Sequence, residues 1–275
     1  MVGPEVNLKF SRNLQLRLFS AVCILPIPIL VIWSGSWIFA IFVGLLGNFL
    51  MREWNRLIGL CQITSISYVG PALLGLSILV FWSSNLWMAF LCVVGAVFVN
   101  FLVGIRNNCS KVLSLLGSIY VFLPCACVIW IREFPQIGLA LMFWLLIVVC
   151  STDTGAYFFG KMVGGPRLAP RISPGKTWAG LLGGVICAGL FGTLFGVLWY
   201  DFPMALKLWE WTGLAILVAG AAQIGDLVES WLKRQMGVKD SGKSIPGHGG
   251  LLDRLDGFMV SAPVFTAMML LIDLD

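Results

Sequence analysis

The sequence has little charge. Of its 275 residues, only 11% are Asp, Glu, Lys or Arg, whereas soluble domains carry about 25%. Hydrophobic residues make up 59% of the chain, and they occur in runs of roughly 17–25 residues, the length that a helix needs to cross a bilayer. This composition excludes a soluble globular protein, and a nucleic-acid partner is not expected. It predicts an all-α, polytopic integral membrane protein.

The sequence also lacks C-x-x-C pairs, and we expect no cleavable signal peptide. None of the eight cysteines forms a C-x-x-C pair, and Cys125 and Cys127 are one residue apart, so we interpret the cysteines as apolar packing residues. Pro26 and Pro28 interrupt the first apolar run, and no A-x-A site follows it. An uncleaved first span is therefore expected.

About nine membrane spans are predicted. They lie at residues 17–33, 36–51, 67–82, 86–105, 112–131, 136–152, 177–200, 209–232 and 251–272. Lys and Arg are enriched in the cytoplasmic loops of membrane proteins. If the N-terminus is cytoplasmic and nine spans alternate, all of the 18 Lys and Arg residues except Arg132 and Lys207 lie on the cytoplasmic side. The sequence therefore predicts a cytoplasmic N-terminus.

The charge that is present is concentrated between residues 226 and 256. In the eighth predicted span, Asp226, Glu229 and Lys233 are three and four residues apart and share one helical face. A lone Asp at the centre of a span costs roughly 2.5–3.5 kcal/mol, so Asp226 needs a partner. One interpretation is an intrahelical Glu229–Lys233 pair with Asp226 hydrated at the interface. The other is a partner on the ninth span.

The ninth span offers such partners, because Asp253 and Asp256 lie three residues apart in its first turns. Acidic side chains at this position also complement the helix dipole, which is the purely structural interpretation. Mg²⁺, however, is usually bound by one or two carboxylates together with substrate phosphates. We therefore predict a metal site of Asp226, Asp253 and Asp256, for one or two Mg²⁺ ions, or for one Mg²⁺ with a monovalent ion.

The segment Gly237 to Ser244, GVKDSGKS, matches the phosphate-loop pattern G-x-x-x-x-G-K-[ST]. A true phosphate loop follows a strand and opens a helix, whereas this segment follows a predicted membrane helix and precedes Ile245-Pro246. It is therefore not predicted to be a phosphate loop. Its composition still suits phosphates, because glycine lets backbone N–H groups approach an anion closely.

The segment RISPGKTWAG, residues 171–180, has two interpretations. A helix that starts at Thr177 offers an anion site at its N-terminus. Alternatively, the segment is an ordinary capped helix start, and Lys176 meets lipid headgroups.

The segment SWLKRQMGVKDSGKSIPGHGGLLDRLD, from Ser230 to Asp256, resembles the signature of phosphatidate cytidylyltransferases, also called CDP-diacylglycerol synthases. The signature reads S, two residues, KR, four residues, KD, one residue and G, followed by P-x-H-G-G and D-R-x-D. The segments DTGAYFFGK (153–161), SPGKT (173–177) and GDLVES (225–230) also look like that family. By this resemblance, residues 1–275 form one membrane-embedded domain, with N-terminal spans in 1–110 and catalytic spans and loops in 111–275.

The resemblance implies a multi-pass enzyme of the cell inner membrane whose active site faces the cytoplasm. It would make CDP-diacylglycerol and pyrophosphate from CTP and phosphatidic acid, with Mg²⁺ and as a homodimer. The catalytic residues expected on this basis are Asp226, Lys239, Asp240, Lys243, His248, Asp253, Arg254 and Asp256. The residues expected to bind substrate are Asp153, Ser173, Lys176, Thr177, Lys233 and Arg234. His248 has two interpretations, a hydrogen bond within its loop or donation to a pyrophosphate oxygen.

Two other functions fit part of the pattern. DRLDG gives the D-x-x-D-G opening of the CDP-alcohol phosphotransferases, but Val260 and Ser261 stand where that family needs Ala-Arg. An anion transporter would use the basic loops as a vestibule. Against it, the polar residues cluster on one face, and no paired broken spans occupy symmetric positions.

Overall fold

Helices dominate the fold. The computed structural model describes residues 26–59, 68–106, 110–199, 206–242, 244 and 249–272, which contain nine helices and one pair of short strands. The helices are α1 (Pro26–Ser34), α2 (Ser36–Leu57), α3 (Val69–Trp82), α4 (Leu86–Arg106), α5 (Lys111–Arg132), α6 (Gly138–Met162), α7 (Trp178–Leu198), α8 (Leu208–Gln235) and α9 (Leu252–Leu271). The strands are β1 (Arg167–Ala169) and β2 (Ser173–Thr177), between α6 and α7.

Six of the described helices are long and apolar enough to cross a membrane: α2, α5, α6, α7, α8 and α9. Helix α3, with 14 residues, rises only about 21 Å, which is less than the roughly 30 Å of a hydrocarbon core. Most of the first predicted span lies outside the described residues. The expectation of an all-α membrane protein is confirmed, with six helices that meet the spanning length by themselves.

Large apolar side chains cover the outside of the helices. Trp87 on α4 is 81% exposed, Leu190 on α7 is 61% exposed, and Leu271 at the end of α9 is 79% exposed. Soluble monomers rarely expose contiguous apolar patches larger than a few hundred Å². This outer surface therefore fits contact with lipid.

The polar segment after the sixth predicted span differs from the expected loop. Helix α6 continues to Met162, ten residues past the predicted end at residue 152, so that Asp153 lies within the helix. The chain then forms an antiparallel hairpin in which Arg167 pairs with Thr177 and Ala169 with Ser173. The predicted helix start at Thr177 is confirmed, because its Oγ1 accepts a hydrogen bond from the N–H of Gly180 at 3.1 Å and caps α7.

Helix α7 packs closely between α6 and α8 because glycines line its inner face. A Cβ atom on Gly184 would lie 2.6 Å from Nε2 of Gln223 on α8 and 2.7 Å from the carbonyl oxygen of Thr152 on α6. A Cβ atom on Gly155 of α6 would lie 2.8 Å from the carbonyl oxygen of Gly183. Small residues allow the helix backbones to approach in this way, and the approach brings the start of α7 against α8.

Contacts between helix ends define one end of the bundle, which we call the polar end. There, Nε1 of Trp54 near the end of α2 donates to the carbonyl oxygen of Leu113 at 3.0 Å, and Lys233 of α8 meets Asp253 of α9. At the opposite end, Nε of Arg132 donates to the carbonyl oxygen of Ile32 at 2.7 Å. Helices α2, α6 and α8 therefore end, and α5, α7 and α9 begin, at the polar end.

The close packing of α7 predicts a stability difference between two glycines. We expect Gly184→Val to lower the free energy of unfolding by about 1–3 kcal/mol, because the new side chain must displace Gln223 and the α6 backbone. Gly220→Val is the matched control, since a Cβ there meets nothing within 4 Å. Thermal unfolding of the two variants in detergent measures the difference, and equal melting temperatures would contradict the prediction.

Candidate active site

A cavity of about 540 Å³ opens at the polar end, between α6, the hairpin, α7, α8 and α9. This volume lies within the range of roughly 300–1,000 Å³ that is typical of ligand sites. The sequence-predicted residues that line it are Asp153, Lys176, Thr177, Asp226, Asp253, Arg254 and Asp256. Half of the predicted site residues thus line one cavity, although they lie up to 103 positions apart in the sequence.

The cavity wall carries equal numbers of acidic and basic side chains. The acidic ones are Asp153, Asp226, Asp253 and Asp256, and the basic ones are Lys161, Arg167, Lys176 and Arg254. Lys161, Arg167, Tyr157 and Gln223 were not predicted as site residues. Gln223 was detectable, because it lies three positions before Asp226 on the same helical face. Such a wall can neutralise phosphates with its cations while its carboxylates hold a metal ion.

Asp226 has a partner on the hairpin. Nζ of Lys176, on β2, lies 2.7 Å from Oδ2 of Asp226, and the hydroxyl of Ser230 donates to Oδ1 at 3.3 Å. The expectation that Asp226 has a partner is confirmed, and the metal site that it would share with Asp253 and Asp256 stays a prediction. The partner that was not expected is Lys176, which the hairpin places next to α8.

Asp253 is held by several donors at the start of α9. Its Oδ1 lies 2.7 Å from Nζ of Lys233, and its Oδ2 accepts from the N–H of Gly250 at 2.8 Å and of Ser241 at 3.0 Å. The same Lys233 lies 3.5 Å from the fully buried carboxylate of Glu229. The intrahelical Glu229–Lys233 pair that the sequence suggested therefore exists, and Lys233 also pairs with Asp253, which joins α8 to α9.

Arg234 connects the hairpin to the segment after α8. Its Nε donates to the carbonyl oxygen of Ile172 at 3.2 Å, and its NH1 donates to the carbonyl oxygen of Val238 at 3.4 Å. Within the hairpin, NH1 of Arg167 donates to the carbonyl oxygen of Gly175 at 3.4 Å. Arg234 is thus placed outside the cavity wall, where it fixes the element that carries Lys176.

The other predicted residues lie away from the cavity wall or outside the described residues. Ser173 is on β2, and Lys239 and Asp240 are exposed in the loop after α8. Lys243 and His248 lie outside the described residues. Sequence reasoning also missed Glu53, a buried residue of α2 that contacts the loop between α8 and α9. In the sequence, the only indication of this role was that Glu53 is a charged residue near the end of an apolar span.

The carboxylates do not form a closed metal cage by themselves. Within the described ranges, no group of three or more His, Cys, Asp or Glu side chains is arranged to hold a metal ion. Asp153, Asp226 and Asp256 nevertheless line the same cavity. Mg²⁺ is usually held by one or two carboxylates plus substrate phosphates, so an incomplete protein shell is compatible with its chemistry.

Comparisons with known proteins agree on one family. The profile of the cytidylyltransferase family matches residues 15–272. A protein of Brucella suis named phosphatidate cytidylyltransferase is 35% identical over 253 residues, which cover 91% of each chain. Proteins of the same name from Staphylococcus saprophyticus and Staphylococcus aureus are 33% and 31% identical over 267 residues, or 94% of this chain and 99% of each relative.

The ion pairs of Lys233 with Asp253 and Glu229 predict that a single substitution at Lys233 has a large effect on stability. Lys233→Met keeps the aliphatic stem but removes the ammonium from Asp253 and the buried Glu229, and breaking such a buried pair costs about 3–5 kcal/mol. We expect a clearly lower melting temperature in detergent. Lys111→Met, at the exposed first residue of α5, is the control and should change it little. A similar melting temperature for both variants would show that the ion pairs of Lys233 do not stabilise the bundle.

Proposed function

The chain belongs to the cytidylyltransferase family, and we propose that it transfers the cytidylyl group of CTP to phosphatidic acid, giving CDP-diacylglycerol and pyrophosphate. The observation that carries this proposal is the cavity at the polar end, where residues of the signature, of DTGAYFFGK and of SPGKT meet in a chain that embeds in lipid. A lipid substrate and a water-soluble nucleotide both reach such a site, because it lies at the end of the membrane helices.

The reaction requires little proton chemistry. A phosphate oxygen of phosphatidic acid attacks the α-phosphorus of CTP, a new P–O bond forms, and the bond to the β-phosphate breaks to release pyrophosphate. A phosphomonoester has its second pKa near about 6, so the attacking phosphate is already an anion at neutral pH. The main obstacle is the repulsion between two anionic substrates, which is overcome by charge neutralisation and in-line positioning.

The basic side chains of the cavity supply this neutralisation. Arg254 and Lys176 both line the cavity; Arg254 would hold the triphosphate, and Lys176 would hold a phosphate of the lipid or of CTP. Lys161 and Arg167 add two further cations on the same wall. Lys239, which is exposed in the loop after α8, and Lys243 would add positive charge for the substrate phosphates. Donors that are placed in advance around developing charge are a large source of catalysis.

The acidic side chains of the cavity fit Mg²⁺. Asp226 and Asp256 line the cavity and would supply hard oxygen ligands, and the pairing of Asp226 with the Lys176 ammonium at 2.7 Å supports a role of this carboxylate in cation binding. Asp253 lines the same cavity and would be the third ligand. When bound, the ion would neutralise charge on the bridging and leaving phosphate oxygens. We propose that these residues hold one or two Mg²⁺ ions, or one Mg²⁺ with a monovalent ion.

We also propose nine spans, with a cytoplasmic N-terminus and a cytoplasmic polar end, in the cell inner membrane. The distribution of cations supports this orientation, because Arg56, Lys111, Lys161, Arg171 and Lys233 lie at or beside helix ends on the polar end, whereas Arg132 and Lys207 lie at the opposite end. CTP is a cytoplasmic nucleotide, so a polar end on that side gives it access. The homodimer that the resemblance implies stays a prediction.

The function is tested with CTP that carries a labelled α-phosphate. Incubation of the purified protein with this CTP, phosphatidic acid and Mg²⁺ should transfer label to the lipid phase.

Asp226→Asn should lower turnover at least about a hundredfold, since it removes charge at the reacting phosphates. Glu210→Gln is the matched control at the opposite end of α8, where Glu210 accepts from the N–H of Lys207, and it should leave turnover unchanged.

Other outcomes separate the rival functions. Release of labelled CMP from CDP-diacylglycerol that carries the label in its cytidylyl phosphate, on addition of an alcohol and with no transfer of label from CTP to phosphatidic acid, would indicate a CDP-alcohol phosphotransferase. Label that enters vesicles without reaching the lipid phase would indicate an anion transporter. Either result, or an Asp226→Asn enzyme with normal turnover, would contradict the proposed role of the cavity.

Metal dependence is tested separately. We expect excess EDTA to abolish label transfer and added Mg²⁺ to restore it, because the carboxylates of the cavity otherwise repel the substrate phosphates. The protein should remain folded during the treatment, as judged by its melting temperature. Full turnover in excess EDTA would contradict the metal assignment to Asp226, Asp253 and Asp256.

A further inference from the structure

The buried carboxylate of Glu53 lies inside the loop that joins α8 to α9. Glu53 is on α2, in the half of the chain that carries none of the signature, and is only 3% exposed. Its Oε1 accepts from the N–H of Leu251 at 3.0 Å, and its Oε2 accepts from the N–H of Leu252 at 2.8 Å. The hydroxyls of Ser244 and Ser241 donate to Oε1 and Oε2 respectively.

Two glycines of the loop allow this approach. A Cβ atom on Gly242 would lie 2.9 Å from Oε1 of Glu53. A Cβ atom on Gly250 would lie 2.9 Å from Oε2 of Glu53 and 2.8 Å from the N–H nitrogen of Gly242. Any larger residue at either position would force the loop away from the carboxylate. Gly242 of KDSG and Gly250 of HGG therefore allow the loop to contact Glu53.

The groups that donate hydrogen bonds to Glu53 are of the kind that binds phosphate in other proteins. The N–H groups at the start of a helix and nearby hydroxyls form an anion site, and here they are the start of α9 with Ser241 and Ser244. Two hydroxyl groups of the GVKDSGKS segment thus donate to an anion that belongs to the protein itself. The N–H groups of Leu251 and Leu252 at the start of α9 are already occupied by this anion.

We propose that Glu53 is a positioning residue for the reaction, which holds the loop and the start of α9 so that Asp253, Arg254 and Asp256 face the cavity. Asp253 follows Leu252 directly, so a shift of the Leu251 and Leu252 amides moves it as well. Asp253 in turn holds the amides of Ser241 and Gly250. The loop is therefore clamped between two carboxylates, one from α2 and one from α9. The catalytic part of this inference rests on the proposed function.

Glu53→Gln tests the proposal with almost no change of volume. Each carboxylate oxygen of Glu53 accepts one backbone N–H, so the NH₂ group of Gln must face either Leu251 or Leu252, donor against donor. An unsatisfied buried donor weakens the clamp enough to raise local opening of the loop at least about tenfold. We expect trypsin to cleave after Lys239 at least about tenfold faster, while cleavage after Lys161, at the end of α6, keeps its rate. We expect kcat/KM for CTP to fall at least about tenfold.

Glu133→Gln is the matched control. Glu133 also accepts a backbone N–H from another helix, that of Ser36 at 3.2 Å, but at the opposite end of α2. This variant should keep both cleavage rates and the kinetics. Equal acceleration of cleavage after Lys161 and Lys239 in Glu53→Gln would indicate general destabilisation and overturn the proposal, as would unchanged cleavage with unchanged kcat/KM.

A second variant covers the case in which Glu53→Gln does not fold. Ser241→Ala combined with Ser244→Ala removes both hydroxyl donors and keeps Glu53, and it should raise cleavage after Lys239 selectively by a smaller factor. Unchanged cleavage in this double variant would then overturn the proposal. The cleavage ratio requires no activity, so an inactive wild-type protein would contradict the proposed function without deciding the role of Glu53.

Discussion

The ion pair between Lys233 and Asp253 joins the last turns of α8 to the first turn of α9, and the arrangement of the polar end depends on it. Charged groups are costly near a bilayer unless they are paired or hydrated, and removal of one partner from a buried pair costs more than the pair itself contributes. Lys233 compensates Glu229 as well as Asp253. Four carboxylates can therefore gather at the end of a membrane bundle because cations lie next to them.

The second requirement is close packing of helices that have no hydrophobic force between them in lipid. The glycine face of α7 lets its backbone approach α6 and α8. The hairpin before α7 then lies over the end of α8, where Arg234 fixes it and Lys176 reaches Asp226. The cavity results from this packing, since its wall combines three long helices with the hairpin and the start of a fourth.

Much of the fold could be predicted from composition, because apolar runs determine where helices lie in lipid. Predicted and observed bounds of α5, α7, α8 and α9 differ by at most three residues at each end. The predicted span ends at residue 152, ten residues before the end of α6, because Asp153 interrupts the apolar run, whereas in the structure Asp153 lies within the helix and lines the cavity. Long-range pairing was not predictable: neither Lys176 with Asp226 nor Glu53 with the α9 amides follows from spacing along the chain.

The contact of Glu53 with the loop bears on how this protein can vary between species. The first 110 residues carry no motif and read as interchangeable apolar helices, yet one of them supplies an anion to a loop almost two hundred positions further along the chain. A gene fragment encoding only the later helices would lack that anion. The two halves are therefore expected to be inherited together, and helix α2 cannot be exchanged freely for another hydrophobic segment of equal length.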